Sequence, residues 1–503
     1  MAAPTLFKNG TVLLHDANNH VVPIRTDILI QVTIVEIAPD IEPDEAWWVV
    51  DCTDKIISPG FIDTHHHAWQ TQLKGRHANE MLMEYMISGN AQSVQYTPKD
   101  VFYGQLSGML EAVAAGTTTV LDHAHVITSP EHAKQGVAGA VASGVRSIFC
   151  YSPISRVKNF NPLTYHANPL EDWVMQTFFE LTESGPWERG RVKMGFGYDL
   201  YFMPEDVTKG IFADVKAKGI DVITTHFVNT PQLGLGRAET SLVKKLKSMD
   251  LLDEHILMSH ANGCPKEDIE LIKAAGAHVS STPSSELQMA FGRPVCFNAS
   301  FLDGGPDGSL AGIQDHASLG IDCHSNNSGS IIGEARLALQ NARNHFNEHY
   351  YHQGKSTRRL PESLSVEAAF NLATVKGAEA IRMEKEIGKI AVRMKADFAI
   401  FDALSPGMVA AAQHDPVAAI ILHSSPADIE MVVVDGIIRK RDGKLLPVTG
   451  GERKEKKLEW SEIAREVVKS RERIQKEIEK IDMVEGGKAI MKLFHIDESV
   501  YVD

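Results

Sequence analysis

The sequence predicts an α/β protein, a (β/α)8 TIM barrel with a flanking β-sandwich domain built from both chain termini. Two observations support this prediction. After Pro59 and Gly60, short apolar runs alternate with longer helix-compatible stretches, which is the pattern of repeated βα units over a parallel sheet. Strand-like segments separated by turn residues lie before and after this region, which indicates a second unit formed by the two ends of the chain.

Apolar runs with the length of barrel strands occur between Pro59 and the end of the predicted barrel, and eight strands close such a barrel. We place the strands at 61–65, 117–122, 145–151, 192–197, 222–226, 256–260, 278–282 and 319–322. The connections between them are uneven in length. The longest ones, such as 66–116, are where we expect lids and pocket walls.

The predicted organisation has four parts. Residues 1–58 hold the N-terminal strands of the β-sandwich, 59–385 the (β/α)8 barrel, 386–450 the C-terminal strands, and 451–503 a charged amphipathic helical tail. In the tail, apolar residues recur at spacings typical of one helix face: Trp460, Ile463, Val467, Ile474, Ile478 and Ile481. We expect this helix to pack on the protein or on a second copy.

Composition excludes several classes of protein. With 43% hydrophobic and 23% charged residues, the 503-residue chain is typical of a globular protein and not of a disordered one. A formal net charge of −15 disfavours binding to nucleic acid. There is no leader pattern and no long apolar run, and the five cysteines form no C-x-x-C pair, so we expect a cytoplasmic protein that binds no membrane.

A pair of histidines ends the first predicted barrel strand. His65 and His67 are spaced by one residue, so in an extended chain their side chains point to the same side. The carboxyl end of a barrel strand is where such folds carry catalytic groups, and two imidazoles on one side can bind one metal ion.

Three more polar residues stand at the ends of later predicted strands. His226 follows the fifth strand, His260 follows the sixth, and Asp322 follows the eighth. Because the carboxyl ends of all barrel strands meet at one mouth, we expect these side chains to converge with the histidine pair. A divalent cation held by imidazole and carboxylate groups, with one position open, would activate a water for hydrolysis.

The sequence at this point resembles the amidohydrolase superfamily, in particular its branch of cytosine, guanine, 8-oxoguanine and methylthioadenosine deaminases and triazine chlorohydrolases. The resemblance covers roughly residues 5–445. It rests on Pro59 to His67 and on further short segments: 115–119, 320–322, 325–327, 373–374, 377–378, 395–397 and 434–436.

The resemblance implies one zinc ion per chain, with iron as the alternative, held by His65, His67, His226 and Asp322. It implies that His260 faces the water or the leaving group. Asp322 would take the proton of the attacking water, and His260 would stabilise the charge that develops.

The sequence departs from the family pattern at one position. Family deaminases usually carry a glutamate three residues after the strand-five histidine, and here that position is Asn229. An amide cannot donate and recover a proton near neutral pH. Glu286, in the loop after strand seven, is our candidate for the missing proton shuttle.

Other polar residues near the mouth are candidates for substrate contact: Gln70, His123, His125, Asn229 and His324. A two-metal site would need a bridging lysine at the catalytic end of strand four, whereas Lys193 lies at the start of that strand. We therefore favour one metal.

The predicted function is metal-dependent hydrolysis of a C–N bond, by deamination or cyclic amide hydrolysis, in a small heterocyclic or aromatic substrate. A metal-dependent lyase such as a decarboxylase, or a hydrolase of specialised metabolism acting on something other than a nucleobase, is the alternative. A catalytically inactive scaffold is the third reading. We expect a homodimer or a larger homo-oligomer.

Overall fold

The computed structural model describes residues 4–233, 241–298, 312–450 and 457–502. The chain begins with strands of the flanking sheet: β1 (Thr5–His15), β2 (Val21–Ile30), β3 (Ile34–Ala38), β4 (Trp48–Asp51) and β5 (Lys55–Pro59). The turn between β1 and β2 is held by Asp16, whose carboxylate accepts hydrogen bonds from the backbone of Asn18 and His20. Asn19 supplies the left-handed residue of that turn, with φ of 66°.

The barrel follows, and its neighbouring strands pair in parallel. Its strands are β6 (Phe61–His66), β7 (Thr117–Ala124), β8 (Arg146–Tyr151), β11 (Val192–Gly197), β12 (Ile223–Val228), β13 (Ile256–Asn262), β14 (His278–Ser281) and β15 (Ala317–Leu319), with a hairpin of β9 (Val157–Phe160) and β10 (Leu163–Tyr165) inserted after β8. Past the end of β15, Asp322 N donates to His65 O at 2.8 Å and His67 N donates to Asp322 O at 3.0 Å. These bonds link the first barrel strand to the last.

Helices cover the barrel and form parts of its long connections. They are α1 (Leu82–Ser88), α2 (Pro98–Ala114), α3 (Pro130–Ser143), α4 (Asp172–Ser184), α5 (Glu205–Ala217), α6 (Leu242–Ser248), α7 (Lys266–Ala274), α8 (Pro283–Gln288), α9 (Ile331–Tyr351), α10 (Val366–Leu372) and α11 (Val375–Ala380). The start of α2 shows how the sequence sets a boundary. Thr97 and Asp100 form a capping box, and Pro98 occupies the first turn, where no backbone donor is needed.

The chain then returns to the flanking sheet and ends in helices. The elements are β16 (Phe398–Asp402), α12 (Ala411–His414), α13 (Pro416–Ala418), β17 (Ile429–Val434), β18 (Ile437–Arg441), β19 (Lys444–Leu445), β20 (Val448–Thr449), β21 (Lys457–Leu458), α14 (Trp460–Ile478) and α15 (Met483–Leu493). Strand β16 pairs antiparallel with both β5 and β17. Both ends of the chain therefore belong to one sheet, and the predicted fold class is confirmed.

Element boundaries differ from the sequence prediction in two informative places. The eighth barrel strand ends at Leu319, so Asp322 lies in the turn after the strand and not within it. The charged tail forms two helices, because the chain turns between α14 and α15. Ile481 of the predicted apolar face lies in that turn, whereas Ile463 and Ile474 are buried as the periodicity indicated.

We find no helix with the length and apolar character for a membrane crossing in residues 4–233, 241–298, 312–450 and 457–502.

Candidate metal centre and active site

The two histidines of the first barrel strand present their Nε2 atoms to the barrel mouth. His65 Nδ1 lies 2.7 Å from Ser259 Oγ, and His67 Nδ1 donates to the carbonyl oxygen of His123 at 2.8 Å. A carbonyl oxygen can only accept, so His67 carries its proton on Nδ1. Each ring is thus held by its Nδ1 edge, and its Nε2 is left for a ligand.

Asp322 reaches both histidines with one oxygen. Its Oδ1 lies 3.3 Å from His65 Nε2 and 3.2 Å from His67 Nε2. The backbone of Asp322 is left-handed, with φ of 66°, a conformation that costs a non-glycine residue free energy and is concentrated at functional sites. Gly320 lets the segment that carries Asp322 lie close to His65, since a Cβ at position 320 would be 2.8 Å from His65 N, O and Cβ.

His226, from β12, completes the group. Its Nε2 lies 3.3 Å from His67 Nε2, and its Nδ1 lies 2.8 Å from Asp199 Oδ2. A carboxylate accepts hydrogen bonds, so the His226 proton is on Nδ1 and Nε2 faces the other ligand atoms. The His226 side chain is 29% exposed, whereas that of His65 is fully buried, so His226 lies on the open side of the centre.

The four side chains can surround one cation. Each of His65, His67, His226 and Asp322 offers one ligand atom, and these atoms lie within 4.8 Å of one another. Three pairs of these atoms are 3.2–3.3 Å apart, a spacing that lets one cation bind all of them at about 2.0–2.2 Å. His65 Nε2 is buried and makes no hydrogen bond to any of the residues described here, which a bound cation would explain.

Burial and neighbouring side chains together set the protonation of the centre. Burial lowers the pKa of His65 well below its usual value, and it also lowers that of His67, so both rings are neutral near pH 7. Burial alone would raise the pKa of Asp322, but its close contacts with the His65 and His67 rings outweigh burial, and the pKa lies well below the usual range. Neutral imidazoles and an ionised carboxylate are the forms that bind metal.

His260 lies over the centre, at the end of β13. Its ring centroid is 5.5 Å from that of His65 and 5.7 Å from that of His226. Its Nδ1 lies 2.8 Å from Thr282 Oγ1, which leaves the opposite edge free for a substrate. His260 is left-handed with φ of 77°, so a second residue of the site has strained backbone.

Glu286 lies behind His260. Its Oε1 accepts a hydrogen bond from Thr282 N at 2.8 Å and lies 3.7 Å from His260 Nδ1. The side chain is fully buried, its Oε2 has no hydrogen-bond partner among the described residues, and burial raises the pKa of this carboxyl. Its nearest contact toward the centre is therefore the Nδ1 edge of His260.

Two predicted substrate contacts lie beside the ligands. The ring of His125 is tilted against His67, with centroids 3.9 Å apart. His123 Nε2 lies 3.2 Å from Asp199 Oδ2 and 3.1 Å from Ser152 Oγ, and burial lowers the pKa of this ring to about 4. Both residues belong to the cluster of rings around the centre.

Three others are engaged by protein groups. Gln70 is fully buried and donates to Tyr85 Oη at 2.7 Å. His324 is also fully buried, with its Nδ1 2.9 Å from His66 Nε2. Asn229 is half-buried and donates to the carbonyl oxygen of Gly263 at 3.1 Å, so its amide holds the loop after β13. Substrate contact by any of the three stays a prediction.

The sequence interpretation missed Asp199. This residue follows β11 by two positions and so lies at the same barrel end as the predicted ligands, which is the signal that could have identified it. Lys193, at the start of the same strand, pairs with Asp221 at 3.2 Å, away from the mouth.

The chain belongs to the amidohydrolase family, which its residues 56–188 and 212–439 match. It is a metal-dependent hydrolase of C–N bonds. It is 25% identical over 444 residues to a 5-methylthioadenosine/S-adenosylhomocysteine deaminase of Acetivibrio thermocellus, across 84% of this chain and 89% of the relative. It is also 25% identical over 427 residues to a 5'-deoxyadenosine deaminase of Methanobrevibacter smithii, across 82% of this chain and 87% of the relative.

Solved structures show the same fold. An adenosine deaminase of Xanthomonas campestris with bound zinc superposes with a TM-score of 0.75 at 17% identity, across 94% of this chain and 98% of that one. A triazine hydrolase of Arthobacter aurescens superposes with a TM-score of 0.74 at 18% identity, across 94% of this chain and all of the other. The resemblance inferred from the sequence is therefore confirmed.

Proposed function

We propose that this protein is a zinc hydrolase that removes an amino group from the ring carbon of a small nitrogen heterocycle of the aminopurine nucleoside class. One zinc ion would be held by His65, His67, His226 and Asp322, with iron as the alternative. The observation that carries the proposal is the set of four ligand atoms within 4.8 Å of one another, one of them a buried imidazole nitrogen to which the described residues offer no hydrogen bond.

A divalent cation bound there lowers the pKa of a coordinated water toward 7 and polarises the bond under attack. The protein groups do the rest. Asp322, kept ionised near neutral pH, accepts the proton of the attacking water. His260, on the substrate side, stabilises the charge that develops at the ring and hands a proton to the leaving amine.

Glu286 takes part through His260. Because its nearest contact toward the centre is His260 Nδ1 at 3.7 Å, its carboxyl can restore or balance the proton that the imidazole gives up. Asn229 stands where family deaminases carry a glutamate, and an amide cannot take that role. The proton shuttle is therefore assigned to the pair of His260 and Glu286.

The substrate class rests on the named relatives. The two deaminases described above act on adenosine derivatives altered at the 5' position, and they align with more than four-fifths of this chain. The predicted contacts Gln70, His123, His125, Asn229 and His324 would position the substrate.

The test is a metal and product analysis of the purified chain. We expect one zinc per chain, ammonia release from 5'-deoxyadenosine, methylthioadenosine or S-adenosylhomocysteine, and one labelled oxygen from water in the product. Cytosine, guanine and aminotriazines complete the substrate panel. His65→Ala should lose both the zinc and the activity.

The matched control is His278→Ala, which removes a histidine from the opposite end of a barrel strand and should keep both. A chain with one zinc that releases carbon dioxide without uptake of labelled oxygen would point to a lyase. A zinc-loaded chain without turnover on the whole panel would contradict the proposed substrate class.

A cytoplasmic location and a homo-oligomeric assembly complete the proposal. The five cysteines are all free and buried, which suits a reducing compartment. Val484, Leu493 and Phe494 expose apolar surface on and beside α15, which suits contact with a second copy. Light scattering of the purified chain would test the assembly, and a monomer at micromolar concentration would contradict it.

A further inference from the structure

We infer that Asp199 is a positioning residue that fixes the tautomer of His226 and supplies the second negative charge of the metal centre. The inference rests on the proposed function, since it takes His226 as a metal ligand.

Asp199 contacts both the ring and the backbone of His226. Its Oδ2 lies 2.8 Å from His226 Nδ1, and its Oδ1 accepts a hydrogen bond from the His226 backbone N–H at 2.9 Å. The Thr225 hydroxyl donates to the same Oδ1 at 3.1 Å, and His123 Nε2 lies 3.2 Å from Oδ2. Each oxygen of Asp199 thus has two partners, and the carboxylate is itself held in place.

The ring of His226 depends more on a hydrogen-bonding partner for its orientation than the rings of the other two histidines do. The side chains of His65 and His67 are 0% and 2% exposed, so packing alone restricts their rings, whereas that of His226 is 29% exposed. The ring that packing leaves least restrained is the ring that a carboxylate holds. A second carboxylate or carbonyl behind a ligating histidine fixes its orientation and raises its basicity.

The charge of the centre favours the same assignment. The Nδ1 partners of His65 and His67 are a hydroxyl and a backbone carbonyl, both neutral. Asp322 contributes one negative charge to the ligand set, and Asp199 is the carboxylate on the third imidazole. A divalent cation would then be balanced by two carboxylates, one bound directly and one through His226.

The geometry makes the amide variant a sharp test. In Asp199→Asn the side-chain oxygen must stay on the His226 backbone N–H, because the amide NH2 cannot accept a hydrogen bond. The NH2 group then faces His226 Nδ1 and forces that nitrogen to accept. The proton moves to Nε2, the atom that the cation needs. In Asp199→Ala the ring loses its partner but no group imposes the wrong tautomer.

Zinc dissociation constants of the full-length chain, measured by competition with a chelating dye, test the inference. We expect Asp199→Asn to bind zinc 10-fold to 100-fold more weakly than the wild type, with Asp199→Ala between the two. The matched control is Asp221→Asn, which alters a 53% exposed carboxylate just before β12, the strand that carries His226. Its zinc dissociation constant should stay within twofold of the wild-type value. Thermal unfolding of the metal-free proteins should be alike in all four.

Zinc binding by Asp199→Asn within twofold of the wild type, or tighter than that of Asp199→Ala, would overturn the inference and leave the proposed function standing. A wild-type chain that binds no zinc would overturn both. Weakened binding accompanied by an equal loss of thermal stability in the metal-free Asp199→Asn protein would show a structural role and would also overturn the inference.

Discussion

At the scale of single residues, the centre depends on what stands behind each ligand. Ser259, the carbonyl of His123, and Asp199 each occupy the Nδ1 edge of one imidazole, so that all three Nε2 atoms face one point. His260 and Asp322 have left-handed backbone, a cost of about 1–3 kcal/mol each that the surrounding barrel offsets. The imidazole rings therefore have a fixed orientation before any substrate binds.

A buried carboxyl outside the centre gives a prediction about pH. Burial raises the pKa of Glu334 to about 8, although Ser284 donates two hydrogen bonds to it. In the unfolded chain this carboxyl has a pKa of about 4.3. Between pH 4.3 and 8 the folded state therefore binds more protons than the unfolded state, and stability falls as pH rises. Glu334→Gln removes this loss and should gain on the order of 3 kcal/mol relative to the wild type between pH 5 and 8.

Urea unfolding of the metal-free proteins at pH 5 and pH 8 measures this gain. The control is Glu348→Gln, which replaces an exposed carboxylate on the same helix α9. Its free energy of unfolding should differ from that of the wild type by the same amount at both pH values. An equal difference at both pH values for Glu334→Gln would show that Glu334 is not protonated in the folded state.

At the scale of secondary-structure elements, close approach of the first and last barrel strands brings Asp322 to His65. Gly320→Ala would place a Cβ 2.8 Å from three atoms of His65, two of them in the backbone. We expect a loss of about 1–3 kcal/mol in stability and weaker zinc binding, because the two ligand-bearing segments must separate. The measurements are thermal unfolding and zinc content.

Gly333→Ala is the matched control, since a Cβ at that position in α9 would meet nothing nearer than 3.7 Å. It should leave zinc binding unchanged and stability equal or slightly higher. Should Gly320→Ala bind zinc as the wild type does, strand closure would not position the ligands.

The C-terminal helix α14 braces the segment that follows the ligand pair. Ile474 and Ile478 pack with Trp69, Leu73 and Tyr96. We expect Ile474→Ala to cost about 2–5 kcal/mol and to loosen residues 68–96, seen as faster hydrogen exchange there. Val468 is 52% exposed on the same helix, and Val468→Ala should change stability by less than about 0.5 kcal/mol. Unchanged exchange in 68–96 would show that the tail merely covers the surface.

At the scale of the whole molecule, a buried ion cluster joins the barrel to the flanking sheet. Arg146, at the start of β8, donates to both oxygens of Asp397 at 2.9 and 3.2 Å and to Asp435 at 3.1 Å. Asp397 precedes β16, and Asp435 follows β17. The contact lies at the amino-terminal end of the barrel, where such folds place stability and not catalysis.

Arg146→Met removes the cation that the two buried carboxylates share and should cost about 3–5 kcal/mol. Turnover per bound zinc should stay at the wild-type level, because the mouth is at the other end of the barrel. Lys193→Met, which removes a partly exposed ion pair at the same end, should cost less than about 1 kcal/mol. A fall in turnover per zinc in Arg146→Met would show that the two domains are coupled through the barrel to the site.

Much of the site could be read from the sequence, because parallel strands bring their carboxyl ends to one mouth. His65, His67 and His226 stand at strand ends, and their positions in the sequence were enough to group them. Asp322 was grouped with them although its strand ends at Leu319, since the turn after β15 leads to the same mouth. Asp199 was missed because nothing in the sequence shows which side chain lies behind another.

The sequence by itself determined the fold class, the family and the residues whose ligand atoms converge, since alternating apolar runs and strand-end histidines are local patterns. Only the tertiary structure decided which edge of each imidazole is free, that Glu286 lies behind His260, and that Gln70 and His324 are held by other protein groups. These depend on distances of a few tenths of an ångström between residues far apart in the chain. Packing sets such distances, and no spacing rule contains them.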